Sequence, residues 1–132
     1  MFRITREIHF SYGHRLLDTQ GKCANLHGHN GRVQVEISSG KLNELGMVMD
    51  FYEIRKKLGE WIDLNLDHRM ILNDDDPLVP LLKKAGDPVV SMPGNPTAEA
   101  LAKWIFDEAV KMNLPVAKVT LWETDSCAAS YE

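Results

Sequence analysis

Alternating apolar and polar residues predict three β-strands in this chain, over residues 2–14, 30–38 and 118–123. Side chains two positions apart on a strand point to the same side, so each of these strands has one apolar face directed at a core. Only Arg6 interrupts the apolar series of the first strand. The glycine-containing residues 15–28 between the first two strands are predicted to form a loop.

Two other stretches have apolar residues at helical spacing. Asp50 is the predicted N-cap of the first helix, with Glu53 three residues later in a capping-box pattern. Asn95 is the predicted N-cap of the second helix, with Pro96 at its first helical position. The apolar faces consist of Phe51, Ile54, Leu58, Trp61 and Ile62 in the first helix and Leu101, Ile105, Ala109 and Met112 in the second.

This order of elements predicts an α+β domain in which two helices pack on one face of a mainly antiparallel sheet. The chain of 132 residues has the length of one domain, covering residues 1–132. A sheet of so few strands has free edges, which are prone to aggregation unless they are paired. We therefore expect the protein to form an oligomer through its sheet edges.

Composition excludes several classes of function. The net charge of −4 argues against a general nucleic-acid-binding protein, which would carry a basic face. No apolar run approaches 18 residues, so no transmembrane helix is predicted. The two cysteines, Cys23 and Cys127, do not make a disulfide framework, and the first residues lack the pattern of a signal peptide. We therefore expect a reduced, cytoplasmic protein with no membrane partner.

The most informative chemistry lies in a cluster of histidines. His27 and His29 are two residues apart, so on an extended strand both imidazoles would point the same way. With His14 they would make three nitrogen ligands for a metal such as zinc and leave a fourth position open, as in catalytic zinc sites. Cys23 precedes His27 by four residues. The alternative is that these histidines are ordinary surface or hydrogen-bonded side chains, and their spacing alone does not decide between the two.

Asp67 and His68 form a second candidate pair. A carboxylate beside an imidazole fixes its tautomer and stabilises the imidazolium form. The alternative is an aspartate at a helix end followed by a solvent-facing histidine. Neighbours on a regular strand point to opposite faces, so a direct hydrogen bond between the two side chains would require loop geometry.

Six motifs together give the chain a strong resemblance to the 6-pyruvoyltetrahydropterin synthase family, which includes the bacterial 6-carboxytetrahydropterin synthases. The resemblance covers nearly the whole chain, with the motifs in family order. The motifs are Phe10-Ser11-x-x-His14, Cys23-x-x-x-His27-Gly28-His29-Asn30, Gly46-Met47-Val48-Met49-Asp50-Phe51, Leu66-Asp67-His68, Asn95-Pro96-Thr97-Ala98-Glu99 and Trp122-Glu123-Thr124.

The resemblance implies a fold and an assembly. The family has a T-fold, an antiparallel four-stranded sheet with two antiparallel helices on its outer face. Three subunits close into a twelve-stranded β-barrel, and two such rings stack into a homohexamer. The unpaired sheet edges expected above agree with this assembly.

The resemblance also implies a zinc-dependent lyase acting on 7,8-dihydroneopterin triphosphate. The family's zinc ligands correspond to His14, His27 and His29, and its general base to Cys23. Asp67 and His68 would complete the proton relay. Glu123 would anchor the pterin ring, and Thr97 would lie near that pocket.

The three residues between Cys23 and His27 favour the bacterial branch, which forms 6-carboxy-5,6,7,8-tetrahydropterin for deazapurine (queuosine-type) synthesis and releases triphosphate and acetaldehyde. The alternatives are a pyruvoyl-forming or other pterin lyase, or a non-catalytic module that binds zinc and a pterin or nucleotide. Residues 73–94 are longer than in many bacterial members and contain three aspartates, Asp74–Asp76, expected to form a solvated acidic turn. Cys127 is expected to be a small buried residue.

Overall fold

The computed structural model describes residues 1–132 and contains one six-stranded sheet. The strands are β1 (Phe2–His14), β2 (His27–Ser39), β3 (Arg69–Asn73), β4 (Val90–Met92), β5 (Val116–Thr124) and β6 (Cys127–Tyr131). Their order across the sheet is β4-β3-β1-β2-β5-β6. The antiparallel part, β1, β2, β5 and β6, is the predicted four-stranded sheet. The two short strands β3 and β4 extend it in parallel beside the end of β1.

The three predicted strands are present, with shifted boundaries. β2 begins at His27, so His27 and Gly28 belong to the strand and the prediction of a loop through residue 28 is wrong there. Glycine weakens strand propensity, which hides this extension in the sequence. Pairing with β1 sustains it, because the antiparallel register runs without interruption from Phe2↔Ser39 to His14↔His27.

The first predicted helix, α1, is a continuous helical stretch. It consists of an α-helical start (Phe51–Ile54), a π-helical turn (Arg55–Gly59) and an α-helical end (Glu60–Asn65). Asp50 is its N-cap as predicted, with the side chain accepting a 2.8 Å hydrogen bond from the Tyr52 N–H.

A short helix α2 (Leu78–Lys84) and the second predicted helix, α3 (Ala98–Lys111), complete the fold. The prediction of Asn95 as the N-cap of α3 is wrong. Thr97 is the N-cap, with its hydroxyl accepting a 3.2 Å hydrogen bond from the Ala100 N–H. Asn95 is not available for capping because its side chain binds the backbone of Leu17. None of the helices has the length and apolar character that a membrane-spanning helix needs.

The core lies between α1, α3 and one face of the sheet. The predicted apolar faces meet there except at Phe51, which is 47% exposed and was wrongly assigned to the core. The side chains of Val33, Val35, Ile54, Leu58 and Ile105 are completely buried. The same face of β1 continues from Ile8 and Phe10 to His14, which is also buried. The core therefore borders directly on the histidine cluster and gives it a rigid support.

The expectation that Asp76 lies in a solvated acidic turn is wrong. Asp74 and Asp75 are exposed, but Asp76 is 1% exposed. The Arg15 guanidinium donates to both of its oxygens at 2.7 and 2.6 Å, and the Leu78 N–H donates to Oδ1 at 2.8 Å. The partner is 61 positions away in sequence, so local composition does not reveal it. The pair ties the 73–94 segment to the end of β1.

Replacing Asp76 with alanine should destabilise the fold by about 3 kcal/mol, since it leaves a half-buried guanidinium without its partner. The Arg15 guanidinium lowers the pKa of Asp76. This stability contribution is therefore present above the aspartate pKa of the unfolded chain, about 4, and is lost as the pH falls through the depressed folded-state pKa. Urea unfolding at neutral and acidic pH measures both effects. The exposed Asp75→Ala is the control, and equal stability of the two variants would contradict the assignment.

Candidate active site

The pairing of β1 with β2 brings three histidines together. His14 lies opposite His27, and Tyr12 lies opposite His29. Residues opposite each other in an antiparallel pair point to the same face of the sheet, so all three imidazoles meet on the face that carries the core. Their ring centroids are 4.5 to 5.2 Å apart, and one nitrogen from each ring lies within 4.8 Å of the others.

The hydrogen bonds of these rings fit a metal centre. Nδ1 of His14 lies 2.7 Å from the carbonyl oxygen of Pro96, and Nδ1 of His27 lies 2.6 Å from that of Asn25. A carbonyl only accepts, so each Nδ1 carries a proton, and in a neutral ring Nε2 is then the nitrogen with the free lone pair. Backbone carbonyls orient metal-binding histidines in this way.

Two Nε2 atoms, those of His14 and His29, are buried and have no hydrogen-bond partner. Buried polar atoms without a partner are rare in proteins, and a bound ion is one explanation for them. Burial lowers the pKa of His14, against the opposing effects of the Pro96 carbonyl and Glu123. The neutral imidazole that results is the form that binds a metal.

The histidine cluster opens into a cavity of about 660 Å³. Its wall includes Cys23, Thr97 and Glu123, so the structure brings these predicted residues to the same place as the histidines. Lys22 adds a positive charge beside Cys23. The complete lining is His14, Leu16, Lys22, Cys23, His27, His29, Thr97, Ala98, Glu99, Glu123, Cys127, Ala128 and Ala129.

Cys127 also lines this cavity and is exposed, so its predicted burial is wrong. It is the first residue of β6, a strand whose Ala128-Ala129-Ser130 stretch shows no alternation that would have predicted it. The strand is created by pairing with β5, where Cys127 lies opposite Thr124.

Glu123 faces the histidines from β5. Its carboxylate oxygens lie 3.8 Å from Nε2 of His14 and 4.0 Å from Nε2 of His29. Tyr12, which the sequence did not single out, donates its hydroxyl proton to Glu123 Oε1 over a long distance of 3.4 Å. Burial, and then the Glu123 carboxylate, raise the pKa of Tyr12 and keep the phenol protonated. Gly31 leaves room for this ring, since a Cβ there would lie 3.0 Å from it.

Asp67 and His68 have the loop geometry that their hydrogen bond requires. His68 has a left-handed backbone, with φ 56°, and its Nδ1 lies 2.8 Å from Asp67 Oδ2. Ser11 holds the loop in place, because its N–H donates to Asp67 Oδ1 at 2.9 Å and its carbonyl accepts from the His68 N–H at 2.7 Å. Burial raises the pKa of Asp67, but the hydrogen bonds from Ser11 and His68 outweigh it, and the pKa is lowered.

Within one chain, this pair does not reach the cavity that contains Cys23. His68 lines a second cavity of about 550 Å³ that also reaches His27 and His29. Its wall further includes Ser11, Gly13, Gly28 and Asn30. These four positions alternate along β1 and β2 with those of the histidine cluster, so they belong to the opposite face of the sheet. The His68 side chain is 81% exposed there. The structure therefore unites Cys23 with the histidines in one cavity, whereas His68 borders a different cavity that shares two of these histidines.

A comparison with protein families gives a match over residues 3–132 to the family model described as 6-pyruvoyl tetrahydropterin synthase. The chain belongs to this family. One similar relative, from Rickettsia conorii, is named 6-carboxy-5,6,7,8-tetrahydropterin synthase. It is 37% identical to this chain, and the alignment covers 96% of this chain and 97% of the relative. Another such relative, from Aquifex aeolicus, is 39% identical over 84% of this chain and 76% of its own length.

Solved structures agree with the family fold. An uncharacterized protein from Wolinella succinogenes aligns with a TM-score of 0.82 and 26% identity, covering 98% of this chain and 97% of the other. The 6-pyruvoyl tetrahydropterin synthase of Caenorhabditis elegans aligns with a TM-score of 0.73 and 26% identity, covering 99% and 94%. The T-fold expected from the sequence is thereby confirmed for this chain.

Proposed function

We propose that the protein is a zinc-dependent 6-carboxy-5,6,7,8-tetrahydropterin synthase. Its substrate would be 7,8-dihydroneopterin triphosphate, and it would release triphosphate and acetaldehyde. The observation that carries the proposal is the single cavity in which three metal-competent histidines meet Cys23 and Glu123. The named relatives of this synthase support the carboxy-forming branch.

His14, His27 and His29 would hold the zinc through their Nε2 atoms, as the orientation of the Nδ1 hydrogen bonds on two of these rings indicates. Bound zinc would supply Lewis-acid chemistry, polarising the side-chain hydroxyls of the substrate and making the adjacent C–H more acidic. The Pro96 carbonyl keeps the His14 ring in place, and the Asn25 carbonyl keeps the His27 ring in place.

Cys23 would remove the substrate proton as a thiolate. Its side chain is exposed and lines the cavity, with the neighbouring Lys22 on the same wall. His68 would exchange protons at Nε2, since its Nδ1 is held by Asp67. The lowered pKa of Asp67 keeps that carboxylate charged, so it can hold the Nδ1–H of His68.

Glu123 would anchor the pterin ring. Its carboxylate is largely buried, with 23% of the side chain exposed, and it receives only the long hydrogen bond from Tyr12. A carboxylate in such a place gains from additional donors. The amino group and ring N–H of a pterin would provide them, while Thr97 borders the same cavity.

The Glu123→Gln variant should bind pterin more weakly by about 1–3 kcal/mol, because one acceptor oxygen becomes a donor. Calorimetry with a pterin ligand measures the change. Glu44→Gln, in an exposed loop, is the matched control and should bind normally. Affinity that is unchanged in Glu123→Gln would rule out the anchor.

The assembly would be a homohexamer, a dimer of trimers, in which each active site combines residues of two chains. Supporting this, Cys23 and the Asp67–His68 pair line different cavities of one subunit, and His68 is exposed. A neighbouring subunit placed against the second cavity would bring its own Cys23 cavity to His68. Both outer strands, β4 and β6, are available for pairing at the sheet edges.

Complementation between variants tests this assembly. Cys23→Ala and His68→Ala should each be nearly inactive alone, whereas mixed hexamers formed by co-refolding should regain about a quarter of wild-type activity if chains mix at random at a two-chain site. Native mass spectrometry verifies the mixing. Mixed hexamers without any recovery would place the whole relay within one chain.

A pyruvoyl-forming activity is the second candidate, favoured by the similarity to the C. elegans enzyme. Incubation of the zinc-loaded protein with 7,8-dihydroneopterin triphosphate, followed by mass spectrometry, separates the candidates. The carboxy product with acetaldehyde supports the first and the pyruvoyl product supports the second. Tight pterin binding without turnover would indicate a non-catalytic binding module. The cytoplasmic location stays a prediction.

A further inference from the structure

Cys23 lies in the long connection between β1 and β2, where a single 3-10 turn, Lys22–Ala24, is the only regular element. Its backbone is tied to the beginning of the same connection, since the Leu16 N–H donates to the Cys23 carbonyl at 2.9 Å. The position of Cys23 therefore depends on what holds Leu16 and the following Leu17.

Asn95 holds this part of the loop. Its Oδ1 accepts a hydrogen bond from the Leu17 N–H and its Nδ2 donates to the Leu17 carbonyl, both at 2.9 Å. The amide thus pairs with both backbone groups of one residue, 78 positions away in sequence. Asn73 Nδ2 donates to Asn95 Oδ1 at 3.2 Å, which fixes the orientation of the amide.

The two residues after Asn95 contact other parts of the site. The Pro96 carbonyl accepts the hydrogen bond from Nδ1 of His14, and Thr97 caps α3 and lines the cavity. One short segment therefore contacts the Cys23 loop, a histidine of the cluster and the cavity wall. Since Asn95 is not the N-cap of α3, helix capping does not account for its side chain.

We propose that Asn95 is a positioning residue that sets the location of the Cys23 thiol relative to the histidine cluster. Its catalytic consequence rests on the proposed function, in which Cys23 is the base. Proton transfer depends steeply on the placement of the base, so a loosened loop would slow turnover more than it would weaken substrate binding.

The test compares Asn95→Ala with wild type. We expect the amide of Leu17 to exchange with deuterium about tenfold faster or more, with neighbouring amides up to Cys23 affected and the core strands unchanged. We expect kcat to fall by about ten- to a hundredfold, with KM changed by less than about threefold and zinc content unchanged.

Asn65→Ala is the matched control, since Asn65 also binds a backbone carbonyl, that of Trp61 at 2.9 Å, on the exposed side of α1. It should match wild type in kcat and in exchange at Leu17. Asn95→Asp keeps the acceptor for the Leu17 N–H but loses the donor to its carbonyl. This second variant should have an intermediate kcat, and it replaces the alanine variant in the comparison if that chain does not fold.

Two results would overturn the proposal. One is a kcat equal to that of wild type in a variant with faster exchange at Leu17. The other is faster exchange spread evenly over the core strands, which would mean that Asn95 serves general stability. If wild-type protein does not turn over 7,8-dihydroneopterin triphosphate, the proposed function fails, whereas the exchange measurement still decides whether Asn95 holds the Cys23 loop.

Discussion

Replacing Cys23 with alanine is expected to reduce kcat by about 10²- to 10⁴-fold, the usual contribution of a positioned general base. The fold and the zinc content should stay unchanged, because the thiol is exposed and only His14, His27 and His29 form the metal-competent cluster. Removal of an exposed side chain from an irregular loop leaves the core intact. Steady-state kinetics and metal analysis of the purified variant measure both parts of the result.

Cys127→Ala is the matched control for this variant. Cys127 is the second exposed cysteine on the same cavity wall, so it experiences the same solvent and the same change in size. Its kcat should stay within about threefold of wild type, as expected for a surface substitution outside the reacting groups. If Cys23→Ala lost its zinc, Cys23 would be a metal ligand and its role as base would be wrong.

Replacing His27 with alanine is expected to remove the zinc and, with it, turnover. The wild-type protein should contain about one zinc per chain, held by three imidazoles with an open fourth position. Two remaining histidines would hold the ion much more weakly, since even loss of an outer hydrogen-bond partner typically costs about 10- to 100-fold in metal affinity. Metal analysis after dialysis against a weak chelator measures the loss.

His9→Ala is the control for this experiment, because His9 lies on β1 with 70% of its side chain exposed and contacts Glu7 instead of the cluster. It should keep its full zinc content. Undiminished zinc in His27→Ala would show that the three histidines are not the metal site, and the proposed chemistry would have to be abandoned.

Local patterns predicted much of this protein. The strands β1, β2 and β5 and the helices α1 and α3 follow from apolar periodicity, because burial of one face imposes a period of two on a strand and of 3.6 on a helix. The spacing of His27 and His29 placed both imidazoles on one face in the same way. The order of the six motifs was sufficient to recognise the family, since each motif is a local string of residues.

Long-range contacts account for what the sequence did not reveal. Asp76 is buried because Arg15, the residue after β1, pairs with it from 61 positions away, and Asn95 is removed from its predicted capping role by Leu17. The strands β3, β4 and β6 have only three to five residues, too few to show a clear alternating pattern, and they form because neighbouring strands offer them backbone hydrogen bonds. Apart from β5, which a two-residue turn joins to β6, none of these partners is close in sequence, so no local pattern encodes them.

In the histidine cluster and the Asp67–His68 pair, too, the sequence predicted one part and the tertiary structure decided the other. Residue types and spacing predicted which side chains carry the chemistry, because imidazole, thiol and carboxylate groups have fixed reactivities. Their relative placement follows from strand register, which puts His14 opposite His27, and from the left-handed turn at His68 beside Ser11. Register and backbone turns depend on the packing of the whole sheet, and so the fold alone sets Cys23 and His68 in different cavities.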